Sequence, residues 1–226
     1  MIPWVELDTA TMPDGGGELR LMRRGAEFSI MSGAVELMNS RLGGSEEALA
    51  RLACEHIGTR PGVRMLIGGL GMGFTLRAAL TGLGADAEVT VAELVPAVAA
   101  WARGPLAEVF GGSLADPRVS IHEADVSGLI GTGEAAWDAI LLDVDNGPAG
   151  LSRAENDRLY HARGLAAARR ALRPGGVLAV WSASPDKAFV KRLGDAGFGV
   201  EEVRARATRS GRGGRHVVWI ATSPAD

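Results

Sequence analysis

From Val63 onward the chain alternates short, almost wholly apolar runs with stretches whose apolar positions recur at helical spacing. The runs VRMLIGG, AEVTVAE, RVSIHEAD, WDAILLDVD and GVLAVWSAS are strand-sized, and the helical FTLRAALTGL lies between the first two. Apolar strands separated by helices predict a parallel sheet covered on both faces, and hence an α/β fold. After Trp181 the pattern changes. PDKAFVKRLGDAGF reads as an amphipathic helix, and VEEVRARATR and RHVVWIATS then flank the loop Ser210-Gly211-Arg212-Gly213-Gly214. So short a connection joins only antiparallel strands, which makes the sheet mixed.

The first 42 residues read differently. Leu19-Leu21 and Phe28-Ile30 are short alternating runs separated by the turn signals Arg23-Arg24-Gly25 and Ser32-Gly33, the pattern of a small antiparallel hairpin or meander. A helix is predicted to start at Ser45-Glu46-Glu47, with the serine as cap and the acids complementing the helix dipole. Its apolar positions are Leu49, Leu52, Ala53 and Ile57. The expected organisation is a small β region over residues 1–42 followed by an α/β domain over 43–226.

Composition narrows the class. The 226 residues are 46% hydrophobic and 23% charged, which supplies enough apolar surface to offset chain entropy, and the 32 glycines have no period of three. Disorder and collagen are thereby excluded. With 24 basic and 27 acidic residues the net charge is -3, so no global field draws the chain to nucleic acid or anionic membrane. A small-molecule partner is expected. Cys54 alone permits no internal disulfide, MIPWVELDTA has no signal-peptide pattern, and no apolar stretch reaches membrane-spanning length; these point to a cytoplasmic protein without a membrane span.

Candidate chemistry gathers where the strands end. VRMLIG runs into Gly68-Gly69-Leu70-Gly71-Met72-Gly73 and then a helix, the setting in which backbone amides meet a ligand at a helix N-terminus. Glu93 follows Gly71 by 22 positions at the end of the next strand, where an acid can accept both hydroxyls of a ribose. Asp125 ends the third strand, and Asp143 and Asp145 end the fourth in LLDVDNGP. In an open α/β sheet ligands bind beyond the carboxyl ends of the strands, so these residues share one rim. Each also has a plain reading: tight turn for the glycines, strand end or cap for Glu93, helix cap for Asp125, turn for Asp145-Asn146-Gly147-Pro148. A dehydrogenase would also use a glycine loop and a ribose acid, but nothing here supplies a second nucleotide half.

LIGGLGMGFTLRAAL, VTVAELVPAV, ADPRVSIHEAD, WDAILLDVDNGP and ALRPGGVLAVWSA resemble, in order and spacing, the spermidine synthase branch of the class I S-adenosylmethionine-dependent transferases. The likeness runs over roughly residues 19–222. It implies a Rossmann-like seven-stranded sheet with a reversed last strand, a sulfonium nucleoside held by Gly68, Gly69, Gly71 and Gly73 with Asp143 beside it, its ribose on Glu93 and its adenine on Asp125. It also places Asp143, Asp145 and Asn146 at the catalytic loop. Departures bear on the chemistry. The branch usually has an Asp within its glycine loop, where this chain reads GGLGMG. It usually has a Gln and a Tyr-His-Glu stretch near the following helix, where this chain reads Glu36-Leu37-Met38 and Ser45-Glu46-Glu47-Ala48-Leu49. Asn146 stands where a second acid would be.

With the nucleoside ligands kept and the diamine carboxylates largely lost, the expected activity is methyl transfer from S-adenosylmethionine to a small molecule, an amine by preference. Asp143 is the base, and Asp145 or Asn146 orients the acceptor. The alternatives are a polyamine aminopropyltransferase using decarboxylated S-adenosylmethionine, and a non-catalytic nucleoside-binding module. The N-terminal β region then forms part of the acceptor site or a homodimer contact. The arginines 204, 206, 209, 212 and 215 read as a solvated loop tip rather than an RNA site, because no aromatics interleave them. His122, His161 and His216 have no metal-ligand spacing. Trp181 reads equally as pocket wall or core.

Overall fold

The structure, a computed structural model, describes residues 2–15, 17–144, 147–148, 156–208 and 214–225. Four strands, β1 (Val5–Thr11), β2 (Glu18–Arg24), β3 (Glu27–Ser32) and β4 (Val35–Asn39), form an antiparallel meander in chain order. Only β2 and β3 are legible as alternating apolar runs. β1 is an edge strand exposed along nearly its whole length, so no buried face imposes a pattern on it.

The remaining elements are α1 (Gly44–Ile57), β5 (Arg64–Gly68), α2 (Phe74–Gly82), β6 (Glu88–Glu93), α3 (Pro96–Arg103), α4 (Ala107–Phe110), β7 (Val119–Glu123), α5 (Val126–Thr132), β8 (Trp137–Leu142), α6 (Asp157–Tyr160), α7 (Ala162–Ala171), β9 (Leu172–Ser182), α8 (Lys187–Asp195), β10 (Gly199–Arg206) and β11 (Arg215–Thr222). Seven strands make one sheet in the order β10-β11-β9-β8-β5-β6-β7. β9, β8, β5, β6 and β7 are parallel, while β11 is antiparallel to both β9 and β10. The mixed α/β architecture expected from the sequence is therefore present.

Strand alternation sorts the core into two layers. Met65, Ile67, Leu141 and Ala179 face one layer, which α1, α2 and α3 cover; Leu66, Ile140, Leu142 and Leu178 face the other, beneath α5, α7 and α8. Leu19, Leu21, Phe28 and Ile30 of the meander are buried in the first layer, so the small sheet packs onto the large one. The Trp101 indole N–H on α3 donates to Asp8 Oδ2 at 2.7 Å and ties β1 down. No helix among the described residues is long and apolar enough to cross a membrane.

One local expectation fails. α1 begins at Gly44 after Gly43, and Ser45 caps nothing. Gly44 is needed because the start of α1 lies against the end of β10: Gly44 N donates to Ala207 O at 2.9 Å, and a Cβ on Gly44 would come within 2.8 Å of Arg206 O, while a Cβ on Gly43 would strike the Phe74 ring. Ser45 is pushed inside the first turn, where it is fully buried.

Candidate active site

The chain leaves β5 outward through β6 and β7, then returns on the other side of β5 as β8. The carboxyl ends of β5 and β8 therefore flank the crevice where such sheets bind ligands. Asp143 N donates to Gly68 O at 3.0 Å across that junction. Gly69 has φ +91°, and a Cβ there would sit 2.3 Å from Asp143 O. Gly73, at φ +73°, opens α2 and leaves no room for a Cβ against the Phe110 ring. These two positions need glycine for space as well as for backbone angle. Gly71 lines the cavities described next.

Two small cavities open at this crevice. One, of about 150 Å³, is bounded by Gly69, Glu93, Asp125 and Asn156 on the large sheet and by Met12 and Leu19 on the meander side. The other, of about 120 Å³, is bounded by Asn39, Glu46, Phe74 and Trp181. Leu37, Met38, Gly71, Asp143 and Val144 border both, so Asp143 stands at the partition. A depression of about 990 Å³ between α1, α2 and β10 is far larger, but contains none of the strand-end acids. Size alone does not mark this site.

The carboxylates differ in their partners. Glu93, 8% exposed, accepts from Leu70 N at 2.9 Å through Oε2 and from Val95 N at 2.8 Å through Oε1. Burial pushes its carboxyl above the usual range, against the pull of those amides. Asp125 caps α5, accepting from Ser127 N at 2.8 Å, and its other oxygen pairs with Arg158. The cap reading of Asp125 is thus realised, and its carboxyl still borders the larger cavity. Its pKa lies below the usual value: burial acts to raise it, and the Ser127 and Arg158 hydrogen bonds outweigh that.

Asp143 is half-buried at the partition and accepts from the Thr75 hydroxyl at 2.7 Å. Burial lifts it to about 6. Glu46, in the first turn of α1, is lifted to about 7, first by burial and second by the Asp143 charge. Glu46 and Thr75 were not singled out by the sequence. A signal for the helix face existed: Ser45 extends the Leu49, Ala53 stripe back by one turn, so the start of α1 had to point inward. Asp145 and Asn146 lie outside the described residues, as do Arg209 and Arg212 of the arginine cluster. Trp181 borders the smaller cavity, whereas Tyr160 is core, edge-on to Phe189 at 5.7 Å.

No family model matches the chain. It is 35% identical over 127 residues to "Polyamine aminopropyltransferase 1" of Streptomyces coelicolor, covering 55% of this chain and 23% of that protein. It is 38% identical over 99 residues to the polyamine aminopropyltransferase of Nitrosomonas europaea, covering 43% and 28%. The matches thus span about a quarter of those relatives' own lengths. Among solved structures, the spermidine synthase of Thermotoga maritima superposes with TM-score 0.77 over 98% of this chain and 74% of that one, at 18% identity. A S-adenosylmethionine-dependent O-methyltransferase of Thermotoga maritima superposes less well, with TM-score 0.52 over 80% and 65%, at 20% identity. At such identities the superpositions establish the fold. The curated relatives carry a different lesson: their aminopropyltransferase names overturn the ranking of methyl transfer first, which rested on the missing diamine carboxylates. The structure shows why that inference was unsafe, since Glu46, within the very stretch read as a departure from the branch, brings a carboxyl to the site. The chain has the spermidine-synthase-like form of the class I S-adenosylmethionine-dependent methyltransferase fold, as its sequence motifs imply.

Proposed function

We propose that the protein transfers the aminopropyl group of decarboxylated S-adenosylmethionine to a small amine. The observation that carries this reading is the charge of the two cavities. Glu46, Glu93, Asp125 and Asp143 line them, and no Lys, Arg or His does among the described residues. The complete cofactor has a carboxylate that such walls disfavour, whereas the decarboxylated form presents a sulfonium and an ammonium, both cationic.

The site residues fit a nucleoside in the larger cavity. Apolar walls from Met12 and Leu19 suit a base, and Glu93, whose carboxyl is oriented by the Leu70 and Val95 amides, borders the same cavity as the acid for the ribose hydroxyls. Gly68, Gly69, Gly71 and Gly73 let the backbone approach it, and Asp125 borders the base end. When bound, the cofactor supplies an electrophilic methylene next to a good leaving group. The protein's task is then to position the amine and accept its proton. A free alkylamine is protonated near neutrality, as lysine is, so it must lose a proton before it can attack. Asp143 at the partition, with Glu46 beside it, holds the ammonium and takes that proton. Asp145 and Asn146 belong to the same proposed acceptor loop. A small-molecule acceptor met in the cytoplasm is part of the reading.

Purified protein incubated with either cofactor form and a panel of short mono- and diamines tests it, with product masses read by mass spectrometry. Aminopropylated amine from the decarboxylated form is expected. Methylated product from the complete form, or no transfer to any amine, would overturn the proposal.

A further inference from the structure

Ser45 is completely buried, yet it is a polar side chain that performs no capping. Its hydroxyl donates to Glu46 Oε2 at 2.6 Å and lies 2.7 Å from Nδ1 of His216 on β11. A hydroxyl has one proton, so while Ser45 serves Glu46 the imidazole must carry a proton on Nδ1 and donate it to the serine oxygen. Glu46 borders the same cavity as Asp143. A continuous hydrogen-bonded line therefore runs from that cavity, through α1, to a half-buried histidine on a different strand. His216 also meets Trp181, the far wall of the cavity, edge to face at 4.8 Å.

We propose that Ser45 and His216 are the proton exit of the acceptor cavity, passing to solvent the proton that the amine surrenders to the Glu46 and Asp143 carboxyls. This rests on the aminopropyl-transfer reading. That reaction requires an exit. An acceptor ammonium first gives one proton to the carboxyl pair. Its nitrogen then attacks the methylene, forming C–N as C–S breaks, with the electron pair leaving on sulfur. The product retains the nitrogen's remaining protons and departs as a secondary ammonium, so one proton per turnover stays behind.

The relay disposes of it in a balanced way. Protonated Glu46 gives its proton to Ser45 Oγ while the serine proton moves to Nδ1 of a His216 protonated on Nε2. The imidazolium so formed releases its Nε2 proton to water, and Glu46 is again a carboxylate accepting from Ser45, as observed; before the next turnover the neutral ring exchanges its Nδ1 proton for one on Nε2 through water, with no net change in protons. Burial holds the pKa of His216 below its usual value, so the ring is neutral near pH 7 and returns a proton readily. Among the described residues the groups facing it are few. α1 contributes Ser45 with Glu46 behind it, β9 contributes Trp181, and β10 contributes Ala205, its register partner. Arg204, Arg206 and Arg215, next along the strands, alternate to the opposite face.

The test compares kcat and KM across pH for the full chain, Ser45→Ala, Ser45→Thr, and His216→Ala with and without added imidazole. Expected are an approximately tenfold or greater loss of kcat near pH 7 in Ser45→Ala with KM unchanged, near-native turnover in Ser45→Thr, and partial rescue of His216→Ala by imidazole. Unaltered kcat and pH profile in Ser45→Ala and His216→Ala, or a change confined to KM, would overturn the relay. A second measurement separates this from failure of the proposed reaction. If the native protein transfers nothing, the aminopropyl reading falls, and nitrogen NMR of His216 still judges the relay. A titration midpoint and tautomer that shift in Glu46→Gln uphold it; an unmoved His216 removes it.

Discussion

Glu93 and Asp143 sit at the ends of strands in one sheet, and both are raised by burial, yet they are built for different work. Glu93 is held by two backbone amides from the loops on either side of it, so its position is fixed by the fold itself. Asp143 has a single hydroxyl partner in Thr75, and its charge reaches a second carboxyl, Glu46, which it helps to raise. The first arrangement suits a ligand that is recognised and left unchanged. The second suits a group that must alternately hold and release a proton. A shared rim therefore does not imply a shared role; the number and kind of hydrogen-bond partners distinguish binder from base.

The sharpest way to break this contrast is Asp143→Asn. Turnover should fall by about 10²–10⁴, the usual scale for losing a general base, while nucleoside affinity measured by calorimetry stays near native. A parallel collapse of affinity would mean that the two ends are one. Glu93→Gln should do the reverse, weakening nucleoside binding by about 10–100-fold, since an amide cannot accept at both ends and leaves a buried amide N–H unpaired.

A third prediction concerns stability. Glu46 is raised in the folded state, so its ionisation opposes folding. The penalty is absent below about pH 4, grows as pH rises, and is complete above about 7. Glu46→Gln should therefore stabilise the protein by about 1–2 kcal/mol at pH 8 and by little at pH 4, read from denaturant melts at both values. Equal melts at pH 8 would remove the proposed strain from the acceptor end. The smallest effect is expected from Arg158→Ala. Its pair with Asp125 is more than half exposed on the arginine side, so freeing the aspartate should change nucleoside affinity by less than about fivefold.

The glycine-loop end of the crevice, where a nucleoside is proposed, was legible in the sequence as geometry because it follows from local order: apolar strand, glycine loop, helix, and acids at successive strand ends. The end lined by Glu46 and Asp143, where the acceptor is proposed, was only half legible. Asp143 obeys that same rule, but Glu46 and Ser45 reach the site from a helix preceding the large sheet, and their role depends on which face of α1 is turned toward β8 and β11. Nor could spacing bring His216 to Ser45, which are distant in the chain. Ser45 was read as a cap because that is the commonest use of serine at a helix start; the tight approach of Gly44 to β10 displaced it inward. In the N-terminal region β2 and β3 declared themselves through burial, whereas exposed β1 did not.

The close approach of Gly69 to the Asp143 carbonyl has a further consequence. Even one methyl group at position 69 would lever the end of β8 away, shifting a carboxylate that never contacts residue 69 through its side chain. If the proposed transfer is right, donor choice and acceptor choice are mechanically linked, and redesign toward a bulkier donor would have to move both loops together.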